Sequence, residues 1–114
     1  MNRILYNVTC SVTPDIENEW YEWMLKQHIP AVMRTGMFAD FRICRIHEYE
    51  ENGATYAIQY TASNMDDFNE YMSQHAPKLQ HEHQSKYGDG VVAFRTILEI
   101  LQEGSISFPG VSAN

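Results

Sequence analysis

Twice along this chain the spacing of apolar residues changes from every second position to every third or fourth, in the same order each time. Residues 4–12 alternate: Ile4, Tyr6, Val8, Cys10 and Val12 share one side, Leu5, Asn7, Thr9 and Ser11 the other. A period of two marks a half-buried strand. Thr13-Pro14-Asp15 then reads as a helix start, with Thr13 as N-cap, Pro14 in the first helical position and Asp15 at the positive end of the dipole. Ile16, Trp20, Trp23, Met24 and Gln27 follow at helical spacing, which turns both tryptophans inward. Pro30 must end or bend this helix, because its ring clashes with the preceding turn, and Gly36 offers a natural C-terminal cap.

Residues 38–50 form a second extended run, and Asn52-Gly53 signals a tight two-residue hairpin. Such a turn sets Glu51 opposite Ala54 and carries the register on to Arg45 with Tyr60, Ile46 with Gln59 and His47 with Ile58. One face of the hairpin then holds Phe41, Ile43, Arg45, His47, Tyr56, Ile58 and Tyr60; the other holds Arg42, Cys44, Ile46, Ala57, Gln59 and Thr61. Ser63 caps a second helix whose stripe is Met65, Phe68, Met72, Ala76 and Leu79, with a bend at Pro77. Gly88-Asp89-Gly90 breaks the chain before a last strand at 91–101. Residues 105–114 read as a loosely held tail, which leaves one domain over 1–104. The order βαββαβ predicts an α+β, ferredoxin-like fold: a four-stranded antiparallel sheet with two helices on one face.

Two helices leave the other face of the sheet bare. It carries Leu5, Asn7, Thr9, Ser11, Cys44, Ile46, Ala57, Gln59 and Thr61, with one side of the last strand. That side is either Val91, Ala93, Arg95 and Ile97, or Val92, Phe94, Thr96 and Leu98. Both choices add apolar surface that a monomer rarely leaves in water. A two-fold homodimer, sheet against sheet, would cover it by burying roughly 800 Å² per partner. The small polar residues at its centre predict a partly wet cavity in the seam. A formal charge of −7 makes nucleic acid and anionic membranes poor partners, and no apolar run approaches a membrane span. The alternating start is unlike a signal peptide, so a cytoplasmic location is expected.

The Trp20 and Trp23 helix, the run His28-Ile29-Pro30-Ala31-Val32-Met33-Arg34-Thr35-Gly36-Met37-Phe38 and the late Phe94-Arg95-Thr96 resemble a bacterial family of unknown function. The resemblance spans residues 3–101 and implies membership of the dimeric α+β barrel proteins. That group includes antibiotic-biosynthesis-type monooxygenases, ether-degradation-type proteins, lactone isomerases and haem-degrading monooxygenases. Haem-degrading members carry an Asn on the first strand and a Trp and a His on the second helix. Asn7 and His75 match two of those places, but residues 65–72 read Met-Asp-Asp-Phe-Asn-Glu-Tyr-Met and supply no Trp. No haem and no other cofactor is expected.

Two histidines stand out because each precedes a proline by two: His28-Ile29-Pro30 and His75-Ala76-Pro77. One reading is structural, with the imidazole bonding carbonyls freed at the bend. The other is catalytic, with His28 or His75 as acid or base near neutral pH, and ether-degradation-type proteins show a similar His-x-Pro after the first helix. Asn7, Thr9, Gln59 and Arg95 are the candidate ligand-binding residues, Arg95 offering a planar fork to an anionic or phenolic oxygen. They too have a plain alternative, bonding across a dimer seam or to trapped water. His81 and His83 lie two apart, so on a helix they point about 200° from each other and cannot share an ion. They read as surface histidines, and no metal is expected. Cys10 and Cys44 lack metal or disulfide spacing and read as buried reduced thiols. The expectation is a small-molecule-binding homodimer. Its alternatives are a cofactor-independent monooxygenase- or isomerase-like enzyme, or a protein-interaction module using the open sheet face.

Overall fold

The computed structural model describes residues 1–47 and 53–106. Its elements are β1 (Ile4–Val12), α1 (Glu17–Trp23), α2 (Ile29–Arg34), β2 (Asp40–Arg45), β3 (Ala54–Ala62), α3 (Met65–Gln74), α4 (Ala76–Tyr87) and β4 (Val91–Glu99). The strands make one antiparallel sheet in the order β2-β3-β1-β4. Ile4, Tyr6, Cys10 and Val12 of β1 and Tyr56, Ile58 and Tyr60 of β3 are buried with Trp20, Met24, Ile29, Val32, Phe68, Tyr71 and Leu79 from the helices. All the helices therefore cover the same face of the sheet, and the fold is the ferredoxin-like α+β arrangement that the order of elements predicts.

Several local expectations change. Thr13 does not cap α1; its N–H is tied to the Gly90 carbonyl (3.0 Å), and Ile16 N–H closes a turn onto the Thr13 carbonyl (3.3 Å). The helix starts after that turn, with Ile16 at the N-cap position and no side-chain cap. Asn64, not Ser63, caps α3: its Oδ1 accepts the Asp67 N–H at 2.8 Å. Cys10 is buried as expected, whereas Cys44 is exposed because it lies on the bare face of the edge strand β2.

The β2–β3 register differs too. Arg45 pairs with Tyr56 rather than Tyr60, and Ile43 with Ile58. Among the described residues this ladder extends to the bond from Ile46 N–H to the Thr55 carbonyl (2.9 Å). Because the slip is even, every side chain stays on its predicted face. Asn52 and Glu51, on which the tight turn rested, lie outside the described residues, as does the tail beyond residue 106. Gly53 is described: at φ +132° it sits where a Cβ would run into the Val12 carbonyl.

Pro30 neither ends nor breaks the first helix. A π turn over Met24–His28 joins α1 to α2, and the Ile29 N–H reaches the Met24 carbonyl five residues back. Pro30 has no N–H to give, and the wider turn absorbs the missing bond without breaking the helical path. At the second His-x-Pro the helix does break: His75, at φ −123°, separates α3 from α4.

Candidate functional site

Alternation along β4 decides where the site forms. Arg95 pairs with Val8 and Ala93 with Cys10, so both face the helices, while Val92, Phe94, Thr96 and Leu98 face away. Arg95 and Gln80 approach the buried hydroxyl of Tyr6; burial raises the phenol's pKa and the guanidinium partly offsets that. From the helix side come His28 on the π turn and His83 on α4. His28, Gln80, His83 and Arg95 surround a cavity of about 40 Å³ lined also by Val8, Cys10, Met24 and Ala93. Gln80, His83, Ala93 and Arg95 continue along the β4 edge into a groove of about 400 Å³.

The two imidazoles are held differently. Trp20 Nε1–H donates to His83 Nε2 at 3.0 Å, so that nitrogen is unprotonated. Burial, and then Arg95, lowers the His83 pKa. His28 stacks on Trp23 (centroids 5.3 Å apart) and meets His83 edge-on at 5.7 Å. Its Nδ1 is buried with no hydrogen-bond partner among the described residues. Burial, the His83 ring and the Arg95 charge together push its pKa down to about 4. A neutral imidazole so placed offers a hydrogen bond but is a weak base at neutral pH. The Cys10 thiol is pushed up to about 12 by burial and stays protonated.

The predicted site residues thus divide in two. Asn7, Thr9 and Gln59 do meet on the bare face, where Gln59 Nε2 donates to Asn7 Oδ1 (3.2 Å) and Asn7 Nδ2 to Thr9 Oγ1 (3.0 Å). Arg42 adds a bond to Gln59 Oε1 at 3.1 Å, so these groups largely satisfy one another within the sheet. Arg95 does not join them: its register position places it on the opposite side of the sheet. Nor does His28 Nδ1 bond a carbonyl freed at the bend among the described residues; the ring stacks on Trp23. His28 and His75 are brought together, however, as two walls of an outer groove between the helices. Among the described residues no group of three or more His, Cys, Asp or Glu is placed to hold a metal ion.

Sequence reasoning missed His83, Gln80 and Tyr6 as site residues. His83 is half-buried, not a surface histidine. The signal was present: Ala76, Leu79, His83 and Tyr87 recur at helical spacing, and the same 200° separation that bars a shared ion sends His83 inward when His81 points out.

By this geometry the chain is one of the ferredoxin-like α+β proteins, and solved structures agree on the fold. An ethyl tert-butyl ether degradation-like protein from Ralstonia eutropha JMP134 superposes with a TM-score of 0.67 at 14% identity, over 92% of this chain and 97% of that one. A Bacillus cereus protein provisionally named an antibiotic biosynthesis monooxygenase gives 0.65 at 9% identity, over 93% and 100%. A dimeric ferredoxin-like protein from an uncultured marine organism gives 0.63 at 9% identity, over 91% and 100%. No curated protein matches the chain. The chain belongs to the family described as Domain of unknown function (DUF4286), which it matches over residues 3–101.

Proposed function

We propose that this protein binds a small molecule in the cleft between its helices and sheet, and that it pairs with a second copy through the bare face. The observation that carries the first part is the buried, unpartnered Nδ1 of His28 beside a cavity that Gln80, His83 and Arg95 also line. Leaving such a nitrogen unbonded costs about 1–3 kcal/mol, which a ligand atom or a water bonded to it would recover. Arg95 makes no ion pair among the described residues, so its guanidinium is available to an anionic or phenolic oxygen. The ligand lies along the β4 edge and reaches inward to His28.

Homodimerisation rests on Val92, Phe94 and Leu98, exposed to 66%, 61% and 45% on the face no helix covers. Asn7, Thr9 and Gln59 then belong to the seam and not to the ligand. We place the protein in the cytoplasm, where free Cys10 and Cys44 stay reduced. No helix among the described residues is long and apolar enough to cross a membrane.

A ¹H–¹⁵N NMR screen of small phenols and carboxylic acids tests the site. Shifts are expected at Gln80, His83, Ala93 and Arg95; shifts confined to Asn7, Thr9 and Gln59 would overturn it in favour of a cavity between paired sheets. A cofactor-independent oxygenase or isomerase is the second reading, favoured by the aromatic enclosure of His28 by Trp23 and His83. It requires a base stronger than His28 provides.

A further inference from the structure

His28 also lines a second, outer groove of about 410 Å³ between the helices. One wall is Trp23, whose indole stacks on His28. The rim carries Arg34, His75 and Lys78, with Glu82 the single carboxylate among the described residues. This chain has fifteen acidic and only eight Lys and Arg residues. Two of those eight meet here, and neither makes an ion pair among the described residues. The start of α4 adds to the field: no side chain caps it and no acid occupies its first turn, so its positive dipole end is uncompensated. Glu82 alone does not balance two cations and a helix end.

We propose that this groove is a second binding site, for a small organic carboxylate with a flat apolar body. The carboxylate lies between Arg34, Lys78 and the start of α4, and the flat body packs on Trp23. Arg34 and Lys78 are exposed, so replacing them leaves the core untouched. The class is selected by two features together, a cationic rim and an aromatic wall, and each makes its own prediction.

The test is a ¹H–¹⁵N titration of the full chain with benzoate, benzyl alcohol and inorganic phosphate. Benzoate is expected to shift the Trp23 indole N–H and the amides of Arg34, Ala76 and Lys78. Benzyl alcohol, lacking the charge, and phosphate, lacking the flat body, are each expected to bind at least about tenfold more weakly. The double variant Arg34→Ala, Lys78→Ala is expected to lose at least about tenfold in benzoate affinity while keeping a folded spectrum. Arg95→Gln is expected to leave these shifts unchanged. The proposal fails if benzyl alcohol or phosphate binds as well as benzoate, if no benzoate shifts appear at these residues, or if Arg95→Gln abolishes them. That last result would give the carboxylate to the inner cleft, leaving the proposed function standing and this groove without a role.

Discussion

His28 is an imidazole where ionisation is disfavoured from three directions: burial, the His83 ring and the Arg95 charge. Its folded pKa of about 4 lies below the ordinary 6.5, so as pH falls the unfolded chain takes up the proton first. The stability linked to His28 is fully present above about pH 6.5 and is lost as pH falls toward 4, up to about 3 kcal/mol. His83 is shifted in the same sense and adds to the loss. Urea midpoints measured between pH 7 and 4 should therefore drop, and His28→Phe should flatten much of that slope; an unchanged slope would mean His28 titrates normally. Trp20→Phe keeps most of a fully buried ring but removes the 3.0 Å bond to His83. A loss of about 1 kcal/mol or more is expected from chemical denaturation, with the His83 titration moving.

Elements were more legible in the sequence than their ends. The strict alternation of residues 4–12 and the helical stripe through Trp20 and Met24 fixed strand, helix and buried face, because periodicity depends on many residues at once. Boundaries depend on single bonds, and there tertiary partners won: Gly90 claimed the Thr13 N–H, and Asn64 outcompeted its neighbour Ser63. Asn64→Ala should cost about 1 kcal/mol in urea unfolding, whereas Ser63→Ala should change little. The π turn was illegible for a related reason, since Pro30 announces only that a bond is missing and not how the helix will widen. With φ at +132° and the Val12 carbonyl in the way, Gly53→Ala should destabilise by about 2 kcal/mol or more, measured against wild type at one pH. Of the candidate site, the sequence singled out His28 and Arg95 one by one, but not the neighbours that each meets in the cleft. The side of the sheet that Arg95 occupies depends on the β4 register, which two equally apolar faces left undecided.

As a whole, the molecule has one face closed by helices and one left open, with Phe94 and Val92 exposed on the open side of β4. Light scattering coupled to size exclusion at micromolar concentration should report the mass of two chains, and Phe94→Asp should shift it to one. A wild-type chain that runs as a monomer, or that pairs unchanged after Phe94→Asp, would assign the open face to something else. Neighbouring residues of β4 answer to different surroundings: Phe94 points to the bare face, Arg95 to the cleft. A second copy pressed against Phe94 would stiffen the backbone that aims the next guanidinium. Assembly and occupancy would then be thermodynamically linked, so that dilution loosens the ligand and saturation with ligand tightens the pair by the same factor.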